Sequence, residues 1–384
     1  MSLVHTPLTE EELGAKLTRL LDPGTPEKLQ QGFAKGLAPG FSPDQLLLGL
    51  YQLGLRGGEW REHVRDTLIK LPEAAFFSAF NTGLPARVLD FVGGFPIPTT
   101  ALEKLVMLPD TPGETIAVIA RGASERLCVI IGDNEARLIL HPPIIEALYL
   151  NKRTPMSLAM RIIELAARHR LELQLAAYDE MVKALDLDDL HFDDPMDAEF
   201  AAAELDEKFR SVEEHVGGLD WSTPEGADGE NPEEDAQQED ADGSQKMKPT
   251  DDVPRSMGAL PIFARIRLAQ LGNRFVRSQL IRDTNKLVSM AVIKSPGMSD
   301  MEVEEYSKSR QLPEDVIRYI CARKDWVKNY RVKVNLVNNP KTPVTTSMGL
   351  LSHLREGDLR ALARSKNIPQ AVRSAAVQRL NAKK

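Results

Sequence analysis

Cysteine is nearly absent: Cys128 and Cys321 stand alone in 384 residues, with no CxxC pair. That excludes a disulfide framework and a thiolate zinc cluster, and it points to a reducing compartment with both thiols as small buried groups. No run of about 18 apolar residues occurs, so membrane insertion is not expected. The opening "MSLVHTPLTEEELG" has neither a basic nor an apolar leader region, which sets the expectation of a cytoplasmic protein. Walker loops and GxGxxG turns are missing, and no cofactor is expected. Histidines 5, 63, 141, 169, 191, 215 and 353 are scattered, none spaced with another His or Cys as a zinc pair requires.

What is present is a sharp partition of charge. Residues 1–185 carry a net −3, residues 186–252 a net −20, and residues 253–384 a net +15. An acidic middle facing a basic end invites either mutual attraction or a shared partner. Within the acidic stretch, "DAEFAAAELDEKFRSVEEHV" spaces Phe200, Leu205, Phe209 and Val212 for one helical face. From Gly217 to Asp252 that pattern vanishes into Gly, Pro, Glu and Asp. Such a composition cannot bury enough apolar surface to offset ordering entropy, so a disordered linker is expected there.

Helix-start signals fill both flanks. Thr-Pro recurs at positions 6, 25, 111, 154 and 342, where the threonine is expected to cap and the proline to open the first turn. "SPDQ" at Ser42 starts the same way, and "SDME" from Ser299 to Glu302 is a capping box. Two segments resist: "ETIAVIA" with "RLCVIIG" is rich in β-branched residues, and "RVKVNLV" alternates at period two as a strand does.

Repeat register tips the last segment towards helix. Arg282, Arg323 and Arg364 recur at a fixed interval of 41 residues, and "IAR" at Arg121 and "AAR" at Arg168 look alike. Each arginine follows an apolar run and precedes a polar turn and a second apolar run. In "IPQAVRSAAVQRL", Val372, Ala375, Ala376 and Leu380 share a face; in "WVKNYRVKVNLV", Trp326, Tyr330, Val334 and Val337 have comparable spacing. Val372-Arg373 with Ala376, Val276-Arg277 with Leu280, and Val64-Arg65 with Leu68 resemble the second-helix pattern of HEAT-like repeats. Asn367, Leu271 and Glu59 stand where that family often has aspartate, so the likeness is to the superfamily. It implies an all-α fold: two blocks of stacked antiparallel helix pairs (1–185 and a basic 253–384) around the acidic segment 186–252. The recurring arginines then either satisfy helix C-terminal carbonyls or line up as a stripe for a polyanion.

Chemistry is sparse. "GASER" begins like a nucleophile elbow around Ser124, but Arg126 replaces the second glycine. His191 beside Asp193, Asp194 and Asp197 reads as a solvated acidic turn, and Asp133 in "GDNE" has no partner carboxylate. Two binding features remain. The polyanion candidates are Arg282, Arg323, Lys324, Lys328, Arg331, Lys333, Arg364 and Arg373, with Trp326 and Tyr330 interleaved. The candidates for an apolar partner are Phe76, Phe77, Phe80, Phe91 and Phe95, which otherwise form core. The expected function is a non-enzymatic scaffold binding another protein. The second expectation is nucleic-acid binding by the basic block with the acidic linker as an intramolecular competitor, and a motif-less enzyme comes third.

Overall fold

The computed structural model describes residues 4–187, 203, 205–210, 212, 257–365 and 367–382. The linker expected over 217–252, Phe200 and the His191 turn lie outside the described residues. Every regular element among the described residues is helical, and none is long and apolar enough to cross a membrane. The chain forms two compact units, Met1–Leu175 and Ala176–Lys384.

The first unit runs α1 (Glu10–Leu21), α2 (Glu27–Ala34), α3 (Pro43–Gly54), α4 (Glu59–Lys70), α5 (Glu73–Phe80), α6 (Ala86–Gly93), α7 (Thr99–Met107), α8 (Gly113–Gly122), α9 (Glu125–Gly132), α10 (Glu135–Leu140), α11 (Pro143–Leu150) and α12 (Met156–Arg168). The second holds α13 (Tyr178–Leu187), α14 (Ile262–Leu271), α15 (Arg274–Leu280), α16 (Lys286–Ile293), α17 (Asp300–Lys308), α18 (Glu314–Ala322), α19 (Lys324–Lys328), α20 (Tyr330–Asn338), α21 (Val344–Leu350), α22 (Glu356–Arg364) and α23 (Gln370–Ala382). Helix α13 spans the composition shift at 185/186 and packs on α14 and α16. Helices commonly pack on their next-but-one neighbour: α3 on α5, α5 on α7, α7 on α9, α6 on α8, and in the second unit α14 on α16 and α16 on α18.

The β-branched segments are helical because each offers a helical apolar stripe to its neighbours. Ile116, Ile119 and Ala120 of α8 and Leu127, Cys128 and Ile131 of α9 are buried at i, i+3 or i+4 spacing. "RVKVNLV" is helical as well; of the expected face Val337 is buried, while Trp326, Tyr330 and Val334 are half-buried. Asn329 breaks the run, its side chain capping Arg331 N, and the buried residues of α20 are Val332, Leu336 and Val337. In α23, Val372 and Ala376 are fully buried as expected.

Capping follows the sequence at Ser42 and Ser299, which form full capping boxes with Gln45 and Glu302. Thr-Pro behaves otherwise. In the turns before α2, α8 and α12 the proline itself is the N-cap residue, and the threonine hydroxyl reaches back to the preceding helix. Thr25 donates to Arg19 O at 2.7 Å, Thr111 to Leu105 O at 2.6 Å and Thr154 to Leu148 O at 2.7 Å. The physical reason is demand. Proline removes one orphan N–H at the new helix, while the old helix ends in carbonyls that burial would leave unsatisfied.

The same demand is met across the array by side chains 28–33 residues further on. Thr67 donates to Ala34 O, Arg137 to Val106 O and Leu108 O, and Asn335 to Glu304 O. Asn151 Nδ2 bridges Ala120 O (2.8 Å) and Ala123 O (2.9 Å). Asn339 Nδ2 bridges Ser307 O (3.0 Å) and Ser309 O (2.8 Å), and Lys341 Nζ holds Gln311 O and Leu312 O. Asn151 and Asn339 open the matching stretches "NKRTP" and "NPKTP", one in each unit, and each carboxamide oxygen accepts the N–H two residues on.

Asn151→Ala removes the donor of two buried carbonyls, Ala120 O and Ala123 O, at once. The expected loss is about 2–3 kcal/mol of unfolding free energy, read as a lower denaturation midpoint at unchanged slope by urea titration with circular dichroism.

Candidate functional site

Arg282, Arg323, Lys324, Lys328, Arg331 and Arg364 lie at or beside helix ends of the second unit, while Lys333 and Arg373 lie within α20 and α23. Arg323 occupies the break between α18 and α19, extended at φ −82° and ψ 100°, which throws its side chain outward. Its guanidinium carbon lies 5.2 Å from the Tyr319 ring centre and 5.9 Å from that of Trp326, and Nη2 donates to the Tyr319 hydroxyl at 2.6 Å. The two rings meet edge to face at 6.0 Å. Arg355 repeats the motif over Tyr330 at 4.7 Å, while the Tyr330 hydroxyl donates to Asp358 and accepts from Arg355 N. These cations cover the faces of the rings, so Tyr319, Trp326 and Tyr330 serve first as platforms for arginine.

Residues 253–384 carry only ten carboxylates. Eight of them are already in ion pairs, with Arg265, Arg274, Arg277, Lys286, Arg318, Lys328, Arg331 and Arg360. Lys328 is thus held by Asp325, whose carboxyl it keeps below the usual carboxylate range, and Arg331 is held by Glu304. Arg282, Lys324, Lys333, Arg364 and Arg373 have no carboxylate within ion-pair distance among the described residues. Arg282 follows α15, Arg323 follows α18 and Arg364 ends α22; all three are exposed, and no hydrogen bond joins them into a ladder.

The phenylalanine cluster is core. Phe76, Phe80, Phe91 and Phe95 are buried in the first unit, with ring centres 5.8 Å apart for Phe76–Phe80 and 5.0 Å for Phe91–Phe95. Tyr51 meets Phe91 edge to face at 5.3 Å, across the bare backbone of Gly54, where an added Cβ would overlap the Phe91 ring. Only Phe77 is half-exposed. Exposed apolar side chains of the first unit include Leu37, Leu140 and Met107, and Met107 is 65% exposed at the end of α7. It rims a pocket of about 600 Å³ with an apolar wall of Val106, Ile116, Ile130 and Ile131 and a polar edge at Asp133, Asn134, Glu135 and Arg137. Sequence spacing gives no sign of this pocket, because an exposed methionine at a helix end looks like any other.

Ser124 is the N-cap of α9, its hydroxyl accepting Leu127 N, and Asp133 ends that helix and pairs with Arg161 at 2.6 Å. Cys128 is buried, and burial pushes the Cys321 thiol up to about 11, so it stays protonated at neutral pH. No group of three His, Cys, Asp or Glu able to hold a metal occurs among the described residues. Comparison with family models, with curated proteins and with solved structures gives no match.

One repeat-pattern residue has a definite structural role. Arg277 Nε and Nη2 donate to the two oxygens of Glu302, at 2.8 and 2.9 Å, and Nη1 donates to Gly272 O. Glu302 is 1% exposed and also closes the capping box of α17 through Ser299. Burial alone would raise its carboxyl, but the hydrogen bonds from Arg277 and Ser299 outweigh that and hold it below the usual carboxylate range. A depressed carboxylate contributes stability that is complete above the unfolded-state value and is lost as pH falls through the folded-state value. Acidification below about pH 4 is therefore expected to destabilise the second unit. Glu302→Gln is expected to cost about 3–5 kcal/mol at pH 7, as a buried guanidinium loses its counter-charge. It also flattens the acid limb of a pH–denaturation series measured against wild type.

Proposed function

We propose that the protein is a non-catalytic scaffold, a HEAT-like helical-repeat array that binds another protein. The observation that carries this reading is the Met107 pocket: an apolar wall with a polar rim, open to solvent, on a ladder of helices. Such a site takes an apolar anchor side chain, and helical arrays offer long surfaces around it for the rest of a contact. Its rim, with Asp133, Glu135 and Arg137, carries both signs of charge, which suits a protein surface better than a polyanion.

A second reading, nucleic-acid binding by the C-terminal unit, is favoured by Arg282, Lys324, Lys333, Arg364 and Arg373, which local carboxylates leave uncompensated. In that version the acidic segment 186–252 competes with the polyanion for the same cations.

Capture on full-length protein separates the two. A protein partner held at the Met107 pocket stays bound when salt rises from about 0.15 M to about 1 M, since apolar contacts are little screened. Binding drops at least tenfold for Met107→Glu. Labelled duplex or single-stranded RNA or DNA that binds tightly and is released by the same rise in salt, with no protein retained, contradicts the scaffold reading.

A further inference from the structure

The first unit carries a net −3 over residues 1–185, yet one of its pockets sets two lysines against a single carboxylate. The pocket holds about 580 Å³ and lies where the end of α2, one face of α4 and the turn into α5 meet. It is lined by Lys35, His63, Asp66 and Lys70, together with Gly36 and Thr67. The placement follows from helix geometry. His63, Asp66, Thr67 and Lys70 fall at i, i+3, i+4 and i+7, one stripe of α4, and α4 packs on α2. Of that stripe only Thr67 is buried, its hydroxyl donating to Ala34 O at 2.6 Å. Gly36 follows with φ at 82°, where an added Cβ would come within 3.2 Å of the Thr67 methyl. The chain thus turns close against Thr67, and the pocket opens beside that contact.

Helix ends explain where the two lysines sit but not why both are free. Lys35 is the C-cap of α2 and Lys70 closes α4, positions where a cation suits the helix dipole. The carbonyl of Ala34, however, is already served by Thr67. Among the described residues neither lysine holds a carbonyl as Lys341 does, and neither has a carboxylate within ion-pair distance. Asp66 pairs instead with Arg65, at 3.5 Å. Two ammonium groups on one cavity without a counter-charge repel each other, and an anion between them removes that cost. Lysine takes up a phosphate as a point charge, with no fixed geometry to satisfy. Asp66 narrows the ligand further. An acceptor-only carboxylate repels a bare anion, but it accepts hydrogen bonds from hydroxyl groups. The volume lies in the range of small-molecule sites and exceeds what a lone phosphate fills.

We propose that this pocket binds a phosphate monoester of a hydroxylated small molecule. Lys35 and Lys70 hold the phosphate, Asp66 accepts from a hydroxyl group, and the His63 imidazole offers a further ring N–H. The site is lined by other helices than the Met107 pocket, which α7 to α10 build, and it does not depend on the scaffold reading.

Isothermal titration calorimetry on the full chain at about 0.15 M salt tests this, with ribose 5-phosphate as the probe and inorganic phosphate and ribose as separate titrants. Ribose 5-phosphate is expected to bind, ribose to give no heat, and inorganic phosphate to bind about tenfold or more weakly than the ester. Lys35→Gln and Lys70→Gln should each weaken the ester about tenfold or more, through loss of one charge-assisted contact. Lys28→Gln, at an exposed lysine of α2 outside the pocket, should leave binding unchanged. Asp66→Ala should bring the ester and inorganic phosphate to within about threefold of each other, since the hydroxyl acceptor is gone. All four substitutions lie at exposed positions, and their urea midpoints should match wild type. No heat with ribose 5-phosphate up to about 10 mM overturns the proposal. So does binding that Lys28→Gln weakens as much as Lys35→Gln or Lys70→Gln, which is the mark of diffuse surface attraction. Inorganic phosphate that binds wild type as tightly as the ester overturns it too, because Asp66 then selects nothing.

Discussion

Short helices impose one constraint on this molecule: each ends in carbonyls that have no partner within the helix, and packing takes many of them out of water. With helices of 5 to 13 residues, chain ends are frequent and the need recurs at every turn. The structure meets it with donors borrowed from elsewhere in the chain. Threonine hydroxyls reach back six residues, and Arg137, Asn151, Asn335, Asn339 and Lys341 reach back about thirty. Each such donor ties a helix end to the turn or helix that follows in the stack. Capping and stacking are therefore one interaction, which ties α10 to α7, the turn after α11 to α8, and α20 to α17.

That division of labour shapes the surface. Polar groups at the turns are consumed by backbone, and most carboxylates of the C-terminal third are consumed by arginine and lysine. What is left at the surface includes the pocket beside Met107 in the first unit and, in the second, Arg282, Lys324, Lys333, Arg364 and Arg373, which have no carboxylate within ion-pair distance among the described residues. Ser124, which by motif begins a nucleophile elbow, is drawn into the capping scheme as the start of α9. The Arg277–Glu302 pair shows the scheme at its most buried, where one carboxylate serves both a helix N-terminus and a guanidinium.

Local signals in the sequence account for the helical class, for the capping boxes at Ser42 and Ser299, and for the buried stripe Leu205–Phe209–Val212. They depend on neighbours within one turn, which a sequence displays directly. Thr-Pro was legible as punctuation but not in its direction, because whether a hydroxyl caps forwards or backwards depends on which helix end is buried. The matching "NKRTP" and "NPKTP" were open to view, yet their role needs the carbonyls of a helix thirty residues earlier. The 41-residue arginine interval marks helix ends in the second unit, whereas the recurring hydrogen bonds span 28–33 residues. Burial of the Phe76–Phe95 cluster and exposure of Met107 are decided by tertiary packing, and no spacing rule reaches them.

Hydrogen exchange on full-length Asn339→Ala tests the central claim most directly. If this side chain holds the end of α17, amides from 305 to 312 should lose protection by about tenfold or more, corresponding to roughly 1.4 kcal/mol of local opening. Amides of α14 and α16 should keep theirs. Unchanged protection at 305–312, or a loss spread evenly over the whole second unit, would show that the stack does not depend on borrowed donors at its helix ends.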